Sequence, residues 1–534
     1  MMCAKLLTPQ VQHNKFAYYS DRLLEKLEKY YQRLLKSVLA TVAVPLWFAA
    51  IIALAVVPLF LTATKELAPS EDQGIVMSQL TVVPNASLAY TRLYADAIAN
   101  QYLAMPEVSD VFQINGAGGL NTSIVGLRLK PWSMRHNTSH VLQLQLQRWL
   151  QKFSGVRGAV FEPAPLPGAG GLPVQFVIKT TDSFAILHEL SQKLLDAARH
   201  SGLFIFLDSD LKIDKAQTAL IVDRAKAADL GINMQNLGNN LSALFSQGYI
   251  NYFNYDGRAY QVITQLHRSW RLNPQQLLSY YINSNSGKIV QLGTIAQLKS
   301  TVVPESLNHF QQLNAVTIVA QPVPGVSLSS ALADLQSLAH KLLPVNYELD
   351  YAGQSRQFVQ ESGNFFAIFG FSLLLIFLCL AALFESFRDP LIILATVPLS
   401  LFAALIFINV GVGGATINIY TEVGLVTLVG IISKHGILIV QFANELQRKG
   451  KSKQAAIIAA AVVRLRPILM TTAAMVLGVF PLLTATGAGA ASSFALGLVI
   501  TAGISLGTLF TLFVVPAIYL VFAAKQHCID TTLS

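Results

Sequence analysis

Six stretches of this chain are apolar enough and long enough to cross a bilayer, and that limits the possible folds more than any other feature of the sequence. A hydrocarbon core about 30 Å thick takes roughly 20 helical residues to cross. No water is present there, so every backbone N–H and C=O must bond within its own segment, which leaves the helix. The runs are about Val38 to Leu61, Phe365 to Leu383, Leu391 to Val410, Ile419 to Phe442, Pro467 to Ala485 and Phe494 to Phe522. One precedes a polar region of about 300 residues and five follow it. With 53% hydrophobic and 13% charged residues, and a mean hydropathy of +0.48, the 534 residues read as a membrane protein with a large water-exposed part.

Charge placement sets the expected topology. Lysine and arginine collect in the first 37 residues and in the loop carrying Arg448, Lys449, Lys451, Lys453, Arg464 and Arg466, whereas "GVGGATIN" and "GAGAAS" carry no charge. Both termini and the basic loop are therefore expected on the cytoplasmic side and the polar region outside. The same bias accounts for the net charge of +9, so nucleic-acid binding is not expected. No cleavable signal is expected before the first span, because residues 1–37 are polar with apolar residues at helical spacing (Leu23, Leu24, Leu27, Tyr30, Tyr31, Leu34, Leu35). That pattern predicts an amphipathic helix on the inner membrane surface. Cys3, Cys379 and Cys528 are too scattered for a disulfide framework or a metal site.

The polar region alternates strand and helix patterns. "GIVMSQLTVV", "VSDVFQING", "TSIVGLRLK" and "GAVFEPAP" read as strands, with helices over "SLAYTRLYADAIANQYLAM" and "VLQLQLQRWLQKF". A second set begins at "LPVQFVIKT" and its helix "SFAILHELSQKLLDAARH", then closes with "AVTIVAQPV", "LSSALADLQSLAHKL" and "NYELDYAG". Two βαβ-type α+β units follow, separated by the Pro- and Gly-rich "PAPLPGAGGLPV", the second interrupted from about Gln217 to Pro304.

Within the fourth run stands Lys434. A charge at the bilayer centre costs from about 2.5 kcal/mol upward, so such a lysine is expected to face a counter-ion. The other five runs hold no carboxylate, and Glu422 in the same run is twelve residues away, about 18 Å along a helix. Thr471 and Arg464, in and just before the next run, cannot neutralise an ammonium. Three explanations stay open: the partner belongs to another chain, the lysine is neutral through desolvation, or the chain is a fragment that lacks the residues it was built against.

The segments "SRQFVQESGNFFAIFGFSLLLIFLCLAALFESFRDPLIILATVPLSLFAAL", "NIYTEVGLVTLVGIISKHGILIVQFANEL" and "RLRPILMTTAAMVLGVFPLLTATGAGA" resemble the C-terminal transmembrane half of resistance-nodulation-division (RND) multidrug efflux pumps. "KELAPSEDQGIVMSQLTVVPNAS" and "LPGAGGLPVQFVI" resemble the matching periplasmic segments, and "LLTPQV" the end of the sixth helix. The resemblance implies the second of two similar halves, a parallel duplication known among transporters. The fold it implies is an α-helical bundle of six spans, 1+5, at 38–61 and within 364–523, after a cytoplasmic segment 1–37. Outside lie porter subdomains at 68–167 and at 171–216 with 307–353, and a docking insertion at 217–304. It further implies drug/proton antiport driven by the proton gradient with no cofactor. Lys434, Arg464 and Thr471 match a proton relay whose two aspartates stand in the other half. Phe112 matches a pocket phenylalanine, and Asn115, Gly116, Ala117, Gly118 and Gly119 match the switch loop, although Ala117, Gly119 and Gly126 stand where some members have aromatics. Implied partners are the N-terminal half, a periplasmic adaptor, an outer-membrane channel and, for complete pumps, a homotrimer in the bacterial inner membrane. Amphiphilic small molecules are the implied substrates.

Two other readings compete. A heavy-metal exporter would group soft thioether ligands, but Met77, Met105, Met134 and Met234 are scattered. A transport-inactive remnant, or an assembly partner of such a pump, would retain the same residues. An enzyme is not expected: there is no GxSxG elbow, Walker loop or HExxH, and "GAGG" leads into a strand. Phe112 could equally be a strand core residue, and His435 is expected to point about 100° away from Lys434.

Overall fold

The computed structural model describes residues 15–168, 170–245, 248–285 and 287–524; Cys3, Cys528, "LLTPQV" and the first 14 residues of the expected amphipathic segment lie outside them. Two compact units result, one made of Asp210–His309 with Val83–Ser87 and the other of the remaining chain.

In the larger unit, α1 (Lys15–Ala40) buries Tyr31, Leu35 and Leu39, four residues apart on one face, and exposes Tyr30 and Leu34. Tyr31 donates from its hydroxyl to the Leu512 carbonyl at 2.6 Å. The helix runs through Ala40, so the first span begins later than the apolar run, at α2 (Ala43–Thr62).

The first sheet module follows in the order β1 (Ile75–Thr81), α3 (Leu88–Leu103), β2 (Val108–Asn115), β3 (Thr122–Leu129), α4 (Ser139–Leu150) and β4 (Arg157–Phe161). Its spatial order is β2-β3-β1-β4 with every pair antiparallel. β1 and β2, joined through α3, are therefore parallel but separated by β3, a split βαβ arrangement. The second module repeats it with β5 (Val174–Thr180), α5 (Phe184–His200) and β6 (Phe204–Ser209), a strand that the sequence reading did not single out. "FIFL" there is a short apolar run directly after a helix and Gly202, the available signal for it.

Between β6 and the next strand of that module lies the smaller unit. It begins at Asp210 rather than near Gln217, because β7 (Ile213–Val222) pairs along its whole length with β12. It contains α6 (Arg224–Asp229), α7 (Met234–Phe245), the hairpin β8 (Asn251–Tyr255) and β9 (Arg258–Val262), β10 (Tyr281–Asn283), β11 (Ile289–Gln291) and β12 (Ala296–Pro304). Ala227, Ile232, Leu237, Ile282 and Leu292 form its core. Asp256-Gly257, both at positive φ, turn the hairpin as a two-residue loop requires.

The second module closes with β13 (Leu313–Pro322), α8 (Leu328–Leu342) and β14 (Glu348–Tyr351), in the spatial order β6-β13-β5-β14. Phe161 and Met77 of the first module pack with Phe206 and Val319 of the second.

The remaining spans are α9 (Gly353–Phe384), the consecutive helices α10 (Arg388–Leu394) and α11 (Val397–Asn409), α12 (Ile419–Arg448), α13 (Lys453–Leu483) and α14 (Ala490–Phe522). With α2 they make six helices long and apolar enough to cross a membrane among the described residues. α14 is central and packs on α11, α12 and α13 through glycines. A Cβ on Gly503 would stand 2.2 Å from Leu428, and one on Gly507 2.8 Å from Ser400. Small residues allow this close approach where no hydrophobic drive separates helix from lipid. A buried polar chain crosses the bundle: Asn444 donates to Asp389 (2.8 Å), Tyr519 to Asn444 (2.5 Å) and Gln447 to the Tyr519 hydroxyl (2.6 Å).

Two adjacent carboxylates join bundle and sheets. Glu71 accepts the N–H groups of Ser492 (2.7 Å) and Ala491 (3.3 Å) in the first turn of α14, where the unpaired N–H groups and the helix dipole favour an anion. Asp72 accepts from Arg135 at 2.6 Å and from the N–H of Ser139 at 3.0 Å, in the first turn of α4. Burial alone would raise the Asp72 carboxyl, but those bonds and the charge of Arg135 hold it below the usual carboxylate range. Its contribution to stability is thus complete above about pH 4 and is lost as pH falls through its depressed pKa. Arg135 is only 2% exposed, so Asp72→Asn is expected to strand a buried guanidinium and cost about 3–5 kcal/mol. Thermal unfolding in mild detergent checks this, with Arg128→Ala, whose partner Asp110 is exposed, as the variant expected to leave the melting temperature unchanged.

Candidate functional site

Lys434 lies at the middle of α12, fifteen residues from Ile419 and fourteen from Arg448, or about 22 Å and 21 Å of helix. α12 extends six residues beyond the apolar run, which makes Lys434 more central than the run suggests. The Lys434 side chain is exposed and makes no hydrogen bond or ion pair among the described residues. It belongs to a narrow exposed stripe, Val423, Thr427, Gly430, Lys434, Gln441, Glu445 and Arg448, spaced by fours, threes and one seven. That 3.5-residue repeat is the spacing of a seam between two helices. Space at Gly430 is open, with no atom within 4 Å of where a Cβ would stand.

Arg464 and Thr471 are seven residues apart on α13 and so share a face, about 10 Å apart along the axis. The Arg464 guanidinium lies 4.7 Å from the centre of the Phe442 ring, two turns of α12 from Lys434, and its Nε is buried without an acceptor. Thr471 donates to the Ile468 carbonyl of its own helix. The three expected relay residues thus line neighbouring helices, with no mutual contact.

His435 is fully buried, one position from an exposed lysine, as the 100° step per residue requires. Its Nε2 is 3.4 Å from Thr472 Oγ1 and its Nδ1 3.3 Å from Thr508 Oγ1. Both hydroxyls already donate to carbonyls of their own helices, Ile468 and Ile504. Each therefore offers the ring a lone pair, and a neutral imidazole with one N–H can answer one of them.

Phe112, on β2, is 45% exposed, which removes the strand-core reading. It stands opposite Gly126 of β3, where a Cβ would come 2.2 Å from the ring. Glycine at 126 is what lets the ring lie across the strand. Asn115 accepts from Ser123 at 2.8 Å, and Thr122 draws the loop tight by donating to the carbonyls of Ala117 (2.6 Å) and Gly119 (2.9 Å). Gly116 and Gly118 hold φ of +86° and +92°, positions that favour glycine.

A cavity of 430 Å³ lies elsewhere in the same unit, between the two sheet modules and the adjoining helix ends. Glu66, His140, Glu162 and Gln321 line it among apolar walls that include Pro69 and Phe161. None of Phe112, Asn115, Gly116, Ala117, Gly118 or Gly119 lines it. Sequence reasoning missed Glu66, His140, Glu162 and Gln321, since no motif carries them.

Comparison with known proteins places this geometry in context. A family model described as the AcrB/AcrD/AcrF family matches residues 1–523. The chain is 38% identical over 99% of its length to an uncharacterized transporter of Haemophilus influenzae and 31% identical over 99% to the toluene efflux pump membrane transporter TtgB of Pseudomonas putida. It is 29% identical over 97% to the multidrug resistance protein MdtF of Escherichia coli. In each case it spans about half of the relative's own length, 52%.

The Phe112–Gly126 pair makes a local prediction. Gly126→Ala is expected to push the exposed Phe112 ring off the strand at a cost of no more than about 1 kcal/mol, and Phe112→Ala to change stability by no more than about 0.5 kcal/mol. Thermal unfolding of the two purified variants measures both.

Proposed function

The chain belongs to the AcrB/AcrD/AcrF family of RND efflux transporters, and from that premise we propose that it is the C-terminal half of a proton-driven drug antiporter of the bacterial inner membrane. The observation that carries the reading is Lys434, a charge at mid-span on a stripe with helix-seam spacing, exposed and in no ion pair among the described residues. A lysine left facing lipid there would cost about 2.5 kcal/mol or more, so a carboxylate on a helix outside this chain is the economical answer.

In this reading the seam receives a helix from the N-terminal half that bears two aspartates. When those are ionised Lys434 pairs with them; when they take protons the pair separates. A charge change then biases a two-state arrangement of α12 and α13. Arg464 and Thr471 stand along α13 to adjust the same seam, and α14, clamped at its N-terminus by Glu71, is the element through which a tilt reaches the sheet modules. Phe112 and the loop from Asn115 to Gly119 belong to the substrate side. The sheet modules serve as porter subdomains and Asp210–His309 as half of a docking domain, within a trimer of complete pumps that meets a periplasmic adaptor and an outer-membrane channel. Energy comes from the proton gradient, with no cofactor, and the substrates are amphiphilic small molecules.

Purification of tagged chain from its own membranes, followed by mass spectrometry, is expected to recover in equal amount a segment with an aspartate pair in a transmembrane helix. With both halves present, Lys434→Ala is expected to reduce drug extrusion to the level of cells without the pump. Full extrusion by that variant refutes the assigned role, and recovery of the chain alone favours a transport-inactive remnant.

A further inference from the structure

Three stripes run along α1, each with the three- and four-residue spacing that keeps side chains on one face of a helix. Tyr31, Leu35 and Leu39 are buried, in one cluster with Ile457 and Leu465 of α13 and Leu512 of α14. Leu27, Tyr30 and Leu34 are exposed, Tyr30 by 62%. Lys26, Lys29, Arg33 and Lys36 are exposed as well. At about 100° per residue the apolar stripe stands roughly 110° round from the buried one, and the basic stripe roughly 110° further in the same direction. The apolar stripe therefore has the bundle on one side and a line of four cations on the other. The acidic residues fall elsewhere: Glu28 turns to Arg466 at 3.9 Å, and Glu25 lies beyond the basic stripe. None of the four cations is in an ion pair among the described residues.

The position of α1 decides what can cover that face. It ends at Ala40 and the first span begins at Ala43, so the chain itself holds α1 at the edge of the hydrocarbon. Its buried stripe meets the early turns of α13, which follows the loop carrying Lys449 and Lys451, so helix and loop share one membrane boundary. An occupant at that depth has to offer apolar matter to Leu27, Tyr30 and Leu34 and negative charge to the cations. A phospholipid with an anionic headgroup offers both in one molecule.

We propose that α1 seats anionic phospholipid, with acyl chains along Leu27, Tyr30 and Leu34 beside the bundle and phosphate headgroups on Lys26, Lys29, Arg33 and Lys36. The basic stripe spans ten residues, about 15 Å of helix. The seat is tied to the central helix, because Tyr31, one position from Tyr30, donates to the Leu512 carbonyl of α14 at 2.6 Å. Lipid held there braces α14 from the membrane boundary.

The full chain, purified in an uncharged mild detergent, is melted with increasing phosphatidylglycerol or phosphatidylcholine. Phosphatidylglycerol is expected to raise the melting temperature at a concentration about tenfold or more below that needed of phosphatidylcholine. Salt at about 0.5 M is expected to close most of that gap by screening. The combined variant Lys26→Gln, Lys29→Gln, Arg33→Gln, Lys36→Gln is expected to lose the preference while melting in phosphatidylcholine as the unaltered chain does; Lys26→Arg, Lys29→Arg, Lys36→Arg is expected to keep it. Lys449→Gln with Lys451→Gln, in the loop on the same boundary, is expected to leave the preference intact, which separates a seat on α1 from a general pull of positive charge. Glycerol phosphate, a headgroup without chains, is expected to give no shift. Equal response to the two lipids, a preference that resists salt or survives the combined glutamine variant, equal loss in the loop variant, or an equal shift with glycerol phosphate overturns the proposal. The efflux reading fails separately: full extrusion by Lys434→Ala removes the relay and leaves the lipid seat standing.

Discussion

The junction between membrane helices and sheets depends on two neighbouring carboxylates. Glu71 satisfies N–H groups at the start of α14, and Asp72, the next residue, satisfies Arg135 and the start of α4. α14 is the central helix of the bundle and α4 covers the first sheet, so one dipeptide fixes the position of each relative to the other. Both anions answer donors that would otherwise be buried without partners, and such groups are expensive to leave unmet.

Within the bundle, Lys434 has no ion-pair partner among the described residues. α12 packs against α10, α11, α13 and α14, yet its exposed residues form a line with Lys434 near the centre. A helix facing lipid alone would show an unbroken apolar face. Here the line contains Gly430, Thr427 and Gln441 beside the lysine, residues suited to close approach by another helix. Next to it, His435 is enclosed by two threonines whose protons are already committed to carbonyls, so the lysine's neighbour contributes packing and an incompletely satisfied ring.

The polar part encloses a cavity with two half-buried carboxyls on its wall. Its cavity draws Glu66 from the linker after α2, Glu162 from the end of β4 and Gln321 from the end of β13. Repetition of the split βαβ plan creates the space: two similar sheets meet through Met77, Phe161, Phe206 and Val319 and leave a gap beside that contact. The Phe112 face of the first sheet is a separate feature, open because Gly126 provides no side chain.

The sequence by itself determined the six spans, because a helix that must satisfy its own backbone in hydrocarbon is a local property of about 20 residues. It also showed that no carboxylate within the run could reach Lys434 along its helix, which left the lysine's counter-charge open. The direction of the Lys434 side chain, the burial of His435 one step away and the 3.5-residue stripe depended on which face of α12 its neighbours cover. β6 was not singled out in the sequence, and its place beside β13 follows from pairing across about 110 residues. Only tertiary structure could decide the cavity: Glu66, Glu162 and Gln321 are separated by more than 95 residues at each step, and long-range strand pairing, which no local pattern encodes, brings their acceptors to one space.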